Sequence, residues 1–277
     1  MKNVHIVTGG GSGIGLDTAK SFNEGIVVIT GLEFDEDALK AAVVELEATG
    51  VEAHYRISDV SSREANKDLV QFAASLGKVK TVVNSAGVSG GQANAKRTLE
   101  IDLLGAEYLV EEVYAVAEKD TVVILIASMM GNVVPSNDAY DSFLRNPQKE
   151  GAIETLVQVV KDDSDLAYNF AKKGVQMLAQ KWATEYGTKG ARIVSLSPGI
   201  IMTPMSEKAA ADHPEQMEYM KMMTPAGRNG NPDDISHAVA FLADDKSSFL
   251  TGIDLTVDGG LSNRLPEIAK AAESQQK

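Results

Sequence analysis

The 277-residue chain contains no cysteine, so disulfides and thiolate-bound metal sites are excluded. Its four histidines, His5, His54, His213 and His237, lack the spacing of metal ligands, and we therefore predict no metal site. No run of about 18 apolar residues occurs, which predicts no transmembrane helix. Glycines enter the sequence at Gly9, before the apolar core of a signal peptide could form. We therefore expect a cytoplasmic protein.

Positive charge is also scarce. The chain has 26 lysines and arginines against 39 aspartates and glutamates, which gives a net charge of -13 at pH 7. Nucleic acids and anionic membrane surfaces are bound by basic faces, so neither is an expected partner. A small neutral or mildly anionic ligand remains possible. The rest of the composition, 44% hydrophobic and 23% charged with 24 glycines, is that of one ordinary globular domain.

The N-terminal segment predicts a strand, a glycine-rich turn and an amphipathic helix. The strand covers Val4–Val7, and five of the next residues from 9 to 15 are glycines. Glycines let the backbone approach a pyrophosphate, and the N–H groups at a helix start favour its negative charge. The alternative is a flexible surface turn. The residues predicted to bind a dinucleotide here are Gly9, Ser12, Gly13, Ile14 and Gly15.

The second predicted strand, Ile26–Thr30, ends where a dinucleotide-binding fold reads the adenosine ribose. Glu33 and Asp35 follow, and no basic residue stands here to hold a 2′-phosphate, which favours NAD over NADP. The acidic residue usual at this strand end is replaced by Gly31, so NADP stays open. Residues 35–37 are alternatively the start of a helix over 36–48.

The third predicted strand, His54–Ile57, leads to Asp59 and Val60. A carboxylate at Asp59 would accept a hydrogen bond from the adenine amino group. The alternative, which we weigh equally, is that Asp59 or Ser61 caps the following helix.

Two more predicted strands end in small or polar residues. The strand 81–83 leads to Asn84, Ala86 and Gly87, whose size lets backbone approach the cofactor, and the strand 121–127 leads to Ser128. In an open parallel sheet, ligands bind beyond the carboxyl ends of the strands. One cleft is therefore expected to collect the side chains that follow these strands: Thr8, Asp59, Asn84 and Ser128.

After the first four strands, the hydrophobic pattern predicts a helix over 96–117 that carries Asp102. Further along the chain it predicts a strand over 191–196, a helix over 233–243 and a strand over 253–257. The region 131–166 is long for a connection, contains an apolar segment at 153–160 that predicts a helix, and is expected to cover the site or an oligomer contact.

The stretch 205–224 is rich in methionine. Either a lid over an apolar substrate, assigned to 203–227, or ordinary helix packing explains it. Residues 264–277 are expected to form a polar C-terminal tail after a single catalytic domain over 1–263.

Tyr168 and Lys172 are four residues apart at the start of a helix predicted to run to about Tyr186. This spacing places a phenol and an ammonium one turn apart on the same helix face. A free tyrosine titrates near ~10, and a fixed cation moves it toward the range of an acid–base catalyst. A solvated helix face is the alternative.

These motifs, in this order, resemble the short-chain dehydrogenase/reductase family over about residues 3–262. The resemblance implies an α/β fold, a Rossmann-type doubly wound sheet of seven parallel strands flanked by helices. It also implies a nicotinamide cofactor and a homotetramer or homodimer. The matching residues are Thr8, Gly9, Gly13, Gly15, Asn84 to Gly87, Ser128, Tyr168, Lys172, Pro198, Gly199 and Thr203.

The resemblance also implies roles for individual residues. Tyr168 would be the acid–base group, Ser128 would orient the substrate oxygen, and Lys172 would assist Tyr168 and contact the nicotinamide ribose. Asp102 stands where the family usually has an asparagine that supports a water chain to the lysine, so we assign it to the proton relay. Thr203 and the backbone near Ile201 are expected to hold the nicotinamide carboxamide, and Pro198 is a further expected cofactor-binding residue.

Ser128 and Tyr168 are 168 - 128 = 40 residues apart, where many members have roughly a dozen. A similar insertion occurs in bacterial hydroxysteroid dehydrogenase/carbonyl reductases, which favours a bulky apolar alcohol or ketone such as a steroid or bile acid. Three alternatives remain: a catalytically weak dinucleotide-binding sensor or scaffold, a family member acting on a sugar or other small carbonyl compound, and an epimerase or dehydratase.

Overall fold

The computed structural model describes residues 1–32, 35–204, 206–207 and 214–268. Seven strands form one parallel sheet in the order β3-β2-β1-β4-β5-β6-β7. This arrangement confirms the predicted Rossmann-type fold. The strands are β1 (Asn3–Thr8), β2 (Ile26–Gly31), β3 (Glu52–Ile57), β4 (Lys78–Asn84), β5 (Val122–Ile126), β6 (Arg192–Pro198) and β7 (Asp254–Val257).

Helices cover both faces of the sheet. In chain order the described α-helices are α1 (Gly13–Ser21), α2 (Glu36–Ala48), α3 (Arg63–Leu76), α4 (Ala95–Leu99), α5 (Gly105–Val116), α6 (Asp138–Arg145), α7 (Ala152–Val159), α8 (Ser164–Thr188), α9 (Pro214–Met223) and α10 (Pro232–Ala243). One core layer joins α3, α4, α5 and α8, and the other joins α1, α2 and α10. All five residues of β5 are buried between these layers, as expected for a strand covered on both faces.

Helix α8 begins earlier than the sequence predicted. Asp163 Oδ1 accepts hydrogen bonds from the backbone N–H groups of Asp165 at 2.9 Å and Leu166 at 3.0 Å, so the helix starts at Ser164. The prediction that Tyr168 opens this helix is therefore wrong. Tyr168 lies in the second turn, where the helix backbone is fully formed.

The helix predicted over 96–117 is interrupted by one turn of π-helix, Glu100–Leu104, between α4 and α5. Asp102 lies in this turn and is 2% exposed. Turns of this kind are rare and occur frequently at functional sites.

The region 131–166 is packed onto the domain by two helices. Its apolar segment forms α7, which confirms the predicted helix. Tyr140 and Leu144 of α6, with Ile153 and Leu156 of α7, are buried in the same core layer as α8. The insertion therefore contributes to the core.

Helix α9 covers the second half of the methionine-rich stretch and has no fully buried residue; Met222 is 69% exposed. Met217, Met220 and Met223 are half-buried, so a lid and ordinary helix packing both stay predictions for these residues. Residues 205 and 208–213 of the proposed lid, and 269–277 of the predicted tail, lie outside the described part of the chain. Within that part, no helix combines the length and apolar character needed to span a bilayer.

His5 on β1 stacks on Phe22, with ring centroids 4.3 Å apart, and neither of its buried ring nitrogens has a hydrogen-bond partner. Burial, aided by the charge of Lys80, lowers the pKa of His5 from 6.5 to about 4. Below pH 6.5 the unfolded chain therefore binds a proton that the folded protein does not. This contribution to stability is complete above pH 6.5 and is lost as the pH falls toward 4.

We expect His5→Phe to remove this pH dependence. Between pH 7 and 4.5 the unfolding free energy of the unmodified protein should fall by about 2 kcal/mol more than that of the variant. Urea unfolding at the two pH values measures the difference. Equal losses in the two proteins would show that His5 does not titrate in this way.

Candidate active site

The glycine turn leads into an open helix N-terminus. Gly9 and Gly13 have φ angles of 66° and 53°, a left-handed conformation that favours glycine. A Cβ atom on Gly15 would overlap the Gly9 carbonyl group. Ser12, the N-cap of α1, makes no side-chain cap hydrogen bond, and the first turn carries no acidic residue. The N–H groups of the first turn of α1 are therefore not bound by a capping side chain, and they can donate hydrogen bonds to a pyrophosphate.

The ends of β1 and β4 are joined beside this turn. Thr8 Oγ1 donates a hydrogen bond to Asn84 Oδ1 at 2.9 Å and accepts from the N–H groups of Ser85 at 3.1 Å and Ala86 at 3.0 Å. A Cβ atom on Gly9 would lie 2.9 Å from the Ala86 Cα. The structure thus brings these predicted residues together, with the Asn84 side chain directed at Thr8.

Tyr168, Lys172 and the strand end that carries Ser128 lie together. The Lys172 Nζ atom lies 5.4 Å from the centroid of the Tyr168 ring and 3.3 Å from the Ile126 carbonyl oxygen at the end of β5. Ser128 is buried, and its Oγ accepts a hydrogen bond from the Met130 N–H at 3.2 Å. Because that contact uses the Ser128 oxygen as acceptor, the hydroxyl hydrogen remains available for another partner.

Asp102 makes a direct ion pair with Lys172. Asp102 Oδ2 lies 3.1 Å from Lys172 Nζ, with side-chain exposures of 0% and 9%. Asp102 Oδ1 accepts a hydrogen bond from the Val88 N–H at 2.8 Å. A Cβ atom on Gly87 would lie 3.1 Å from Asp102 Oδ2, so Gly87 leaves space for the carboxylate.

Burial alone would lower the pKa of Lys172, but the charges of Asp102 and Tyr168 outweigh burial and raise the pKa. Burial raises the pKa of Asp102 against the opposing charge of Lys172. The Asp102 carboxylate is in direct contact with the Lys172 ammonium and stabilises its charged form. The lysine is therefore held as an ammonium.

Asp59 is held by Arg97, which the sequence reasoning missed. Asp59 Oδ2 accepts from Arg97 Nη2 at 2.8 Å, and Asp59 Oδ1 accepts from the Ser61 N–H at 3.0 Å and its hydroxyl at 2.7 Å. Ser62, not Asp59 or Ser61, caps α3 by accepting from the Ala65 N–H. The capping alternative is therefore wrong. No local pattern pointed to Arg97, because it lies 38 residues beyond Asp59.

Val60, which follows Asp59 and was also predicted to contact the cofactor, is buried.

A carboxylate also lies at the end of β2. Asp35 Oδ2 accepts a hydrogen bond from the Leu32 N–H at 3.2 Å, and a Cβ atom on Gly31 would lie 3.3 Å from the Asp35 Cβ. Asp35 occupies the N-cap position of α2 without making a side-chain cap hydrogen bond. Glu33, the other acidic residue predicted here, lies outside the described residues.

The loop after β6 reaches the glycine turn. A Cβ atom on Gly13 would lie 3.3 Å from Thr203 Cγ2. Ser206 Oγ accepts from the Thr203 N–H at 2.8 Å and donates to the Ile201 carbonyl oxygen at 2.7 Å. The predicted carboxamide-binding residues Ile201 and Thr203, which follow Pro198 at the end of β6, are thus next to the predicted phosphate site.

Two residues of α8 hold the chain that follows Ser128. Lys173 Nζ donates hydrogen bonds to the carbonyl oxygens of Val134 at 3.0 Å and Pro135 at 2.8 Å. Gln176 Nε2 donates to the Ser128 carbonyl oxygen at 3.3 Å and to Asn132 Oδ1 at 3.1 Å. Neither residue was predicted from the sequence, because lysine and glutamine on a helix are usually solvated.

A parallel sheet, an open glycine turn and a buried lysine beside a tyrosine are typical of dinucleotide-dependent enzymes. A sequence model described as short chain dehydrogenase matches residues 3–142, and one described as enoyl-(acyl carrier protein) reductase matches residues 150–262. The chain belongs to the short-chain dehydrogenase/reductase family. It is therefore an oxidoreductase of a family that binds a nicotinamide dinucleotide.

Relatives with different substrates cover nearly the whole chain. The chain is 31% identical to uncharacterized oxidoreductase YxbG of Bacillus subtilis (strain 168), over 92% of this chain and 89% of the relative. It is 29% identical to an L-rhamnose 1-dehydrogenase (NAD(P)(+)) of Sphingomonas sp. (strain SKA58), over 92% and 94% of the two chains. It is 28% identical to 3beta-hydroxysteroid dehydrogenase 1 of Eggerthella lenta, over 93% and 92%.

Solved structures share the fold. A short-chain type dehydrogenase/reductase from Mycobacterium ulcerans superimposes with a TM-score of 0.77 at 26% identity, covering 94% of this chain and 90% of that one. A blue fluorescent protein from a metagenomic library, solved in complex with NADPH, gives a TM-score of 0.75 at 24% identity, covering 94% and 97%.

Proposed function

We propose that this protein interconverts a secondary alcohol and a ketone, with Tyr168 as the acid–base residue. The observation that carries the proposal is the buried Lys172 ammonium 5.4 Å from the Tyr168 ring, at the strand end that bears Ser128. A dinucleotide bound at the glycine turn supplies or accepts the hydride. Tyr168 exchanges the proton with the substrate oxygen, and the Ser128 hydroxyl donates a hydrogen bond to that oxygen.

The experiment that tests this function is NADH oxidation with a panel of ketones, and NAD⁺ reduction with the matching alcohols. Turnover supports the proposal. Tight NADH binding without turnover of any substrate would instead favour the dinucleotide-binding sensor. Turnover of a substrate with no net change in NADH absorbance would favour an epimerase or dehydratase.

We propose NAD rather than NADP as the cofactor. The support is the Asp35 carboxylate, which the Leu32 N–H holds at the end of β2, where the adenosine ribose binds in folds of this type. A 2′-phosphate would place negative charge near this carboxylate at a cost in binding energy.

We expect Asp35→Ser to lower the ratio of kcat/KM for NADH to that for NADPH up to about fivefold, since one partly exposed charge contact is worth up to about 1 kcal/mol. Steady-state kinetics with both cofactors measures this ratio. Asp37→Ser, which removes a fully exposed carboxylate from the same helix, is the control and should leave the ratio unchanged. A strong NADPH preference of the unmodified enzyme would contradict the assignment.

We propose a bulky apolar substrate of the hydroxysteroid type. The methionines of α9, of which Met222 is exposed and the others are half-buried, suit an adaptable apolar lid, and the relatives include a hydroxysteroid dehydrogenase; both support this class. The rhamnose dehydrogenase among the relatives favours a sugar as the second candidate. Comparing kcat/KM for steroids, bile acids and sugars decides between the two classes.

We propose that the chain forms a homotetramer or homodimer. The support is two exposed aromatic side chains: Phe249, before the edge strand β7, is 101% exposed, and Phe241 of α10 is 56% exposed. Phenylalanine is enriched in interfaces between chains, which would cover these side chains. We expect light scattering after size-exclusion chromatography to give two or four times the chain mass, and a monomer at micromolar concentration would contradict the proposal.

A further inference from the structure

The buried ion pair between Asp102 and Lys172 is fixed by groups on both sides. Asp102 lies in the π-helical turn, and its Oδ1 is held at 2.8 Å by the Val88 N–H. Lys172 lies on α8, and its Nζ also contacts the Ile126 carbonyl oxygen at 3.3 Å. The 3.1 Å separation of the two charges is therefore set by three different segments of the chain.

The charged and titratable groups near Lys172 are few. Asp102 faces it from the π-helical turn and Tyr168 from its own helix, and the end of β5 contributes the uncharged Ile126 carbonyl oxygen. Lys173, the next residue, is directed at Val134 and Pro135. Asp102 is thus the acidic residue that balances the Lys172 charge among the described residues.

A buried lysine without a counterion tends to lose its proton, because burial disfavours the charged form. We propose that Asp102 is a positioning residue that keeps the Lys172 ammonium charged and fixed beside Tyr168, whether or not a cofactor is bound. This inference rests on the proposed function only for its effect on turnover. It replaces the expected relay of protons by Asp102 with an electrostatic role.

The direct test uses cofactor-free protein labelled with ¹³C at the lysine Cε atoms. The Lys172 signal is identified by its loss in Lys172→Arg, and its chemical shift is followed against pH. We expect the midpoint of the Lys172 titration to fall by at least one pH unit in Asp102→Asn. An unchanged midpoint would overturn the proposal, whatever the enzyme proves to catalyse.

Asp141→Asn is the matched control. Asp141 lies 3.8 Å from Lys173 Nζ, so the variant removes a carboxylate from the neighbouring lysine of the same helix. The Lys172 titration should be unaffected. A similar fall in both variants would mean that Lys172 responds to any local loss of negative charge, which contradicts a specific role for Asp102.

Turnover provides a second readout. In Asp102→Asn, kcat should fall at alkaline pH, where the unpaired lysine is neutral, and recover toward the unmodified value at lower pH. A purely structural residue would lower kcat by the same factor at every pH, and that result would overturn the proposal. If no substrate is turned over by any form, the proposed function fails while the lysine titration still decides this inference.

Asp102→Asn alone leaves a buried lysine unpaired and is at risk of misfolding. The double variant Asp102→Asn/Lys172→Met removes both charges and should have a higher Tm than Asp102→Asn. A double variant no more stable than the single one would show that the two residues do not act as a pair.

Discussion

Tyr168→Phe is expected to lower kcat by at least a factor of about 10³, while the Kd for NADH changes less than about threefold. The hydroxyl is the group that exchanges the proton with the substrate, whereas the ring and the Lys172 ammonium beside it remain. Stopped-flow or steady-state kinetics gives kcat, and fluorescence titration with NADH gives Kd.

The control for this variant is Tyr108→Phe, which removes a tyrosine hydroxyl from α5, where the ring packs under Arg63. Its kcat should stay within about twofold of the unmodified value. An equal loss of turnover and NADH binding in Tyr168→Phe would assign Tyr168 to cofactor binding and remove it from the chemistry.

Gly15→Ala is expected to abolish NADH binding, with a rise in Kd of at least about 100-fold. A Cβ atom at this position would overlap the Gly9 carbonyl group, so the glycine turn and the start of α1 would have to separate. The backbone N–H groups that face the pyrophosphate would then be displaced. Isothermal titration with NADH measures the loss.

Gly187→Ala, near the exposed end of α8, is the matched control, since a Cβ atom there meets no atom within 4 Å. NADH binding should be unchanged, and helix stability should be equal or slightly higher. Retained NADH affinity in Gly15→Ala would show that the turn does not bind the dinucleotide.

Local patterns in the sequence predicted the sheet and the glycine turn well. A buried strand such as β5 is recognisable because its apolar residues are consecutive in the sequence. The helix predicted over 36–48 has the predicted bounds. The predicted start of α8 was wrong because the prediction rested on the Tyr168–Lys172 motif, whereas the helix is capped by Asp163, five residues before Tyr168. The predictions were therefore best where the determining residues are adjacent in sequence.

Contacts between distant residues could not be predicted in the same way. Asp102 and Lys172 are 70 residues apart, and their ion pair depends on a π-helical turn that no local pattern indicates. The contact of Arg97 with Asp59 also joins residues from separate elements. The resemblance placed Asp102 near the lysine, but the direct ion pair forms only when the two distant segments fold together.

Lys173 fixes the first residues of the region 131–166 to α8. Its hydrogen bonds to the Val134 and Pro135 carbonyl oxygens anchor the backbone before α6 begins at Asp138. Substitutions of exposed residues beyond this anchor should leave Ser128 in register with Tyr168. The buried side chains of α6 and α7 are instead constrained by the core that they share with α8, so sequence variation in this region is confined to its outer surface.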